Sequence, residues 1–177
     1  DETVGDSYEN QESTDKNQEI NDALKDAQDQ IKDSIKQDNA SKDQIADNLQ
    51  NNDLQNSENA EDKEIGDALK DLGDAIEKDD KDAINDAMGK LEDIIKGDQN
   101  KTDEEKQETA DKIGDAIQDA INPAPDSDFK DSMQDFVDDL KNNTNNADKN
   151  DSTFDEELKD AFDKAEQNMG SAMDKTD

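Results

Sequence analysis

The sequence predicts an all-α fold of repeated amphipathic helical hairpins, and two observations support this prediction. Apolar residues recur three and four positions apart, the spacing that places side chains on one face of an α-helix. In addition, the phrase INDAL at residues 20–24 returns as IGDAL at 65–69, IGDAI at 113–117 and, more weakly, LKDAF at 158–162. The copies start 45, 48 and 45 residues apart, a period in the range of helix-pair repeats.

The repeat predicts about seven helices, because each phrase opens a helix and a second amphipathic stretch follows in the first three repeats. The second stretches contain Ile45 and Leu49 in the first repeat and span residues 84–95 and 129–140 in the others. No segment has the alternating pattern of a strand. We therefore expect either one helical bundle or a series of tethered hairpins.

The predicted organisation has five segments, with long polar linkers at residues 51–64 and 142–152. Loops of this length without secondary structure are uncommon inside a compact domain. The segments are a disordered acidic tail (1–17), a first helical repeat with its linker (18–64), a second repeat (65–112), a third repeat with its linker (113–152) and a terminal half-repeat helix (153–177).

Local signals predict where several helices begin and end. Three Ser or Thr residues precede a Glu or Gln by three positions, which is the capping-box pattern of a helix N-terminus. They are Ser41 with Gln44, Thr102 with Glu105, and Thr153 with Glu156. A glycine suits a helix C-terminus, and proline prevents helix continuation. These C-terminal and turn signals are Gly97, Pro123 and Pro125.

The charge of the chain opposes folding. The sequence has 53 Asp and Glu residues against 20 lysines and no arginine, for a net charge of −33, while Leu, Ile, Val and Phe together make up about 15% of its 177 residues. Composition of this kind is typical of disorder, so only the periodic pattern argues for a fold. Because self-repulsion destabilises the compact state, we expect folding to depend on salt.

Missing residue types exclude several classes of site. Without His or Cys, the chain has no imidazole base, no thiolate nucleophile, no disulfide and no His- or Cys-ligated metal. Paired carboxylates are abundant, but acid–base catalysis requires a cleft that shifts their pKa values, and nothing in the sequence predicts one. We therefore expect a protein that is not an enzyme, without catalytic or cofactor-binding residues.

Calcium binding suits this composition better than catalysis does, because a hard cation prefers clustered carboxylate and carbonyl oxygens. Residues 98–103 and 148–152 place oxygen-bearing side chains at alternate positions, as calcium loops do. Both depart from the EF-hand pattern, which needs Gly at position six and Glu at position twelve. The metal ligands therefore stay unknown, and we expect weak, diffuse binding of divalent cations by the acidic surface.

The remaining features predict partners rather than chemistry. The apolar helix faces can bind a protein partner or mediate self-association. The acidic polar faces disfavour membrane insertion, and the absence of a basic patch argues against direct nucleic-acid binding.

We therefore expect a non-catalytic, acidic helical structural or interaction protein. Two alternatives are a calcium-binding or calcium-buffering protein and an acidic nucleic-acid mimic that inhibits a DNA-binding protein. Because the chain starts at Asp1 rather than Met, we expect either a processed mature form or a trimmed chain. The expected location is extracellular or at a cell surface.

Overall fold

The computed structural model describes residues 3–142 and 153–175, and it describes side chains in these ranges from residue 13 onward. All regular structure in the described residues is helical, with six α-helices and one short 3-10 helix between the first two. The α-helices are α1 (Thr3–Gln50), α2 (Ala60–Glu77), α3 (Lys81–Lys96), α4 (Asp103–Ile121), α5 (Asp128–Lys141) and α6 (Phe154–Asp174), and the 3-10 helix is Asp53–Asn56.

The chain divides into two units, residues 1–36 and residues 37–177. In the first unit, the described residues all belong to the N-terminal part of α1. The second unit contains the C-terminal part of α1 and the other helices, and it holds the apolar core.

The predicted count of about seven helices is wrong by one in the described residues, because the first two predicted helices are a single helix, α1. No Gly or Pro lies between Lys36 and Ile45 to end it. The capping box at Ser41 is therefore also wrong. Ser41 lies inside α1, fully buried, and its hydroxyl donates a hydrogen bond of 2.6 Å to the carbonyl oxygen of Pro125.

The structure bears on the first predicted linker, but not on the disorder of the tail or on most of the second linker. The tail of residues 1–17 overlaps α1, which begins at Thr3, and its disorder stays a prediction. The first linker is shorter than expected, because the 3-10 helix interrupts it and α2 already begins at Ala60. Most of the second linker, residues 143–152, lies outside the described residues.

Four of the predicted helix boundaries are confirmed. The hydroxyl of Thr102 accepts a hydrogen bond from the backbone N–H of Glu105 at 3.1 Å, and Thr153 accepts one from Glu156 at 3.2 Å. Gly97 ends α3 with a positive φ of 58°, a conformation that favours glycine. The turn between α4 and α5 contains both prolines. These local signals were sufficient because each acts on its own helix end.

One apolar core fills the unit of residues 37–177. Helices α2 and α3 pack against each other, as do α4 and α5, while α6 packs on α5 and α3. The rings of Phe136 in α5 and Phe162 in α6 lie 4.9 Å apart in an edge-to-face arrangement. In the second, third and fourth copies of the repeated phrase, the large apolar residues at the first and fifth positions are fully buried: Ile65, Leu69, Ile113, Ile117, Leu158 and Phe162.

Polar contacts hold the C-terminal part of α1 in this unit. The Ser127 hydroxyl, which caps α5, donates to the Ser41 hydroxyl at 2.9 Å, and the Asn48 amide donates to the carbonyl oxygen of Ala120 at 2.9 Å. The buried Lys42 ammonium forms an ion pair with Asp79 in the α2–α3 turn. Asp79 has a φ of 53°, which Asp and Asn tolerate better than most residues.

The two partners of this ion pair are expected to respond differently to substitution. The Lys42 side chain is 4% exposed, whereas that of Asp79 is 48% exposed. Asp79→Asn keeps the backbone preference but leaves a buried ammonium without its counter-charge, so we expect a loss of about 1–2 kcal/mol of unfolding free energy. Lys42→Met leaves a carboxylate that water can solvate, and we expect a smaller loss. Urea denaturation of both variants tests this order, and equal losses would contradict it.

Candidate interaction surface

The residues predicted as the first apolar helix face are exposed in the structure. We call Ile20, Leu24, Ala27, Ile31 and Ile35 the α1 stripe. Ile20, Leu24 and Ile31 are 57%, 56% and 59% exposed, Ala27 is also exposed, and Ile35 is half-buried. These three are the only large apolar side chains that are exposed among the described residues. A contiguous apolar face of this kind is typical of an interaction site.

The second helix predicted for the first repeat is absent as a separate element. The repeat predicted a hairpin in which Ile45 and Leu49 belong to this second helix. In the structure, α1 continues through Ser41 to Gln50. Ile45 and Leu49 are instead fully buried in the unit of residues 37–177. The sequence therefore predicts the apolar spacing of the stripe but not the continuity of α1.

Charged side chains are excluded from the borders of the α1 stripe. At 100° per residue, all eight charged residues from Glu19 to Lys36 lie at least about 100° around the helix from the stripe's centre. The residues nearer to it are uncharged, although 41% of the chain is charged. The border residues are Asn21, Ala23, Gln28 and Ser34.

The first of the two segments that partly resemble calcium loops, residues 98–103, lies beside an acidic groove between α2, α3 and α4. The groove contains Lys101, whose ammonium donates to the Ile94 carbonyl oxygen at 3.1 Å and to the Thr109 hydroxyl at 2.8 Å, and lies 3.6 Å from a Glu61 oxygen. The Asp98 carboxylate accepts a hydrogen bond from the backbone N–H of Asn100 at 2.9 Å. The acidic lining is Glu61, Glu64, Asp93, Asp98 and Glu105.

Two carboxylates of this groove already have other partners. The Lys101 ammonium neutralises Glu61, and Asp98 is engaged with its own loop. Among the residues that the structure describes, no cluster of three or more Asp or Glu side chains has an arrangement that could hold a metal ion. The second of the two segments, residues 148–152, lies outside the described residues.

Glu166 in α6 has a perturbed carboxyl group. Partial burial of this side chain raises its pKa above the ordinary value, and the like charges of Asp163 and Glu92 raise it further. Glu92 is itself paired with Lys96 in α3 at 2.9 Å. Because the shift comes from burial and repulsion, ionisation of Glu166 destabilises the folded state.

Glu166→Gln is expected to raise the thermal unfolding midpoint by a small amount at pH 7 and to leave it unchanged at pH 4. With a raised pKa, the folded state binds more protons than the unfolded state, so stability falls as pH rises from the ordinary pKa through the raised one. The glutamine variant lacks this fall. Thermal melts of both proteins at the two pH values measure the difference, and an equal effect at both would contradict the assignment.

No helix in the described part of the chain is long and apolar enough to cross a membrane. The comparisons with known proteins give no relative from which function could be transferred. No known family model, curated protein or solved structure matches the chain.

Proposed function

We propose that this protein is a non-catalytic, acidic helical interaction protein that binds another α-helix through the α1 stripe. The observation that supports this proposal is the exposure of Ile20, Leu24 and Ile31, while the equivalent residues of the other three repeats are buried. The stripe is narrow and has helical spacing, which suits pairing with another amphipathic helix.

The division of the chain into two units fits this function. The unit of residues 37–177 has its own core and does not depend on the stripe for burial of its apolar residues. The charged surface keeps the protein soluble and suppresses non-specific association. Since the borders of the stripe carry no charge, attraction there depends on apolar contact. We propose a location outside the cell or at its surface on composition alone.

Photo-crosslinking in cells of the source organism tests the proposed function. A photoreactive residue at position 24 lies in the stripe, and one at position 29 lies on the opposite face of the same helix. We expect a discrete covalent adduct from position 24 and none from position 29, and we expect Ile31→Lys to remove the adduct. Equal labelling from both positions, or no adduct from position 24, would contradict the proposal.

A further inference from the structure

The partner helix has features that the stripe itself specifies. We infer that the α1 stripe pairs with the α1 stripe of a second copy of this chain, antiparallel, with Ala27 of each copy next to the two-fold axis. This inference rests on the proposed function, because it names the partner of the same surface. Three observations support it: the symmetry of the stripe, the absence of charge at its borders, and the distribution of charge along the chain.

The stripe is close to symmetric about its centre. Its side chains follow the order large, large, small, large, large, and the midpoint lies between positions 27 and 28. In an antiparallel pair, Ile20 of one copy meets Ile35 of the other, and Leu24 meets Ile31. A two-fold interface requires a surface that is complementary to itself in this way. The small Ala27 at the centre lets the two helix backbones approach closely.

The borders of the stripe favour a like-charged partner over a basic one. A basic groove would gain from acidic side chains beside the apolar contact, as complementary interfaces do. The nearest residues are instead Asn21, Ala23, Gln28 and Ser34. Two copies of a chain with a net charge of −33 can approach each other at this surface because no carboxylates face each other there.

The distribution of charge favours the antiparallel orientation. Residues 37–177 contain 42 acidic residues and 16 lysines, a net charge of −26. With a rise of 1.5 Å per residue, antiparallel pairing separates the two Gln37 residues by about 28 Å along the helix axis. Parallel pairing would place them about 10 Å apart. Since the Debye length is about 8 Å at physiological salt, the antiparallel pair avoids most of this repulsion.

The size of the surface predicts a weak dimer that salt strengthens. Five side chains bury on the order of a few hundred Å² per copy, which is less than the about 800 Å² per partner of a standard interface. We therefore expect dissociation constants in the micromolar to millimolar range. Screening of the acidic units by sodium chloride should shift the equilibrium towards the dimer.

Sedimentation equilibrium of the full chain, from about 10 µM to about 1 mM in low and high sodium chloride, tests the inference. We expect the mass to rise towards twice the monomer mass and to rise further in high salt. Leu24→Asp with Ile31→Asp should weaken association at least tenfold. The matched control is Lys25→Gln with Lys36→Gln, which changes the net charge by the same amount farther from the stripe and should still associate.

Disulfide trapping tests the orientation, since the natural chain has no cysteine. We expect Ile20→Cys and Ile35→Cys chains, mixed and oxidised, to form mainly the mixed dimer, and Ala27→Cys to form a dimer with itself. A natural chain that stays monomeric at about 1 mM in high salt would overturn the inference, as would a preference of position 20 for itself. A monomer that still gives an adduct from position 24 in cells would overturn self-association but support the proposed function.

Discussion

Replacing Gly66 with alanine is expected to destabilise the unit of residues 37–177 by about 2–3 kcal/mol, although alanine is the better helix former. A Cβ atom on Gly66 in α2 would lie 2.5 Å from the carbonyl carbon of Leu54 and 2.8 Å from Cα of Gln55. These are backbone atoms of the 3-10 helix, so the collision cannot be relieved by a side-chain rotation. We expect urea denaturation to show the loss as a lower midpoint.

Gly89→Ala in α3 is the matched control, because a Cβ at this position meets nothing within 4 Å. Here only the higher helix propensity of alanine matters, and we expect the unfolding free energy to rise by up to about 1 kcal/mol. The two substitutions are chemically identical and both lie within helices. If both variants were stabilised, close packing of α2 against the 3-10 helix would not be the reason for glycine at position 66.

Much of the helical structure could be predicted from the sequence, because it depends on residues close together in the chain. The three- and four-residue spacing gives the buried face of α2 through α6, and local capping by Thr102 and Thr153 marks two helix starts. Close approach of other segments explains two glycines inside helices, because a Cβ on Gly66 or Gly73 would meet backbone atoms, whereas a Cβ on Gly89 would meet nothing within 4 Å.

The continuity of α1 could not be predicted from local signals, because its decisive contacts join residues far apart in sequence. Ser41 looked like the first residue of a helix, yet it bonds to Pro125 and Ser127. Those contacts fix this part of α1 in the unit of residues 37–177. Ile45 and Leu49 therefore belong to α1 and to the core of that unit, rather than to a separate second helix.

We expect buried apolar residues of the unit 37–177 to contribute more to the unfolding free energy than exposed ones of α1. Phe136→Ala tests the contribution of a buried residue. Phe136 is fully buried and its ring contacts Phe162, so we expect a loss of about 3–5 kcal/mol, enough to unfold much of a marginally stable protein. Thermal and urea melts of the full chain measure it. Phe136→Leu retains most of the apolar contact and should cost less.

Ile31→Ala is the matched control on the exposed side, because it also truncates a large apolar residue on a regular apolar face. Ile31 is 59% exposed, so at concentrations where the protein is monomeric we expect a change within about 0.5 kcal/mol. A large loss would mean that the α1 stripe is covered within its own chain. Together, a costly Phe136→Ala and a neutral Ile31→Ala would mean that the same helical spacing builds the core in residues 37–177 and leaves a surface for association in α1.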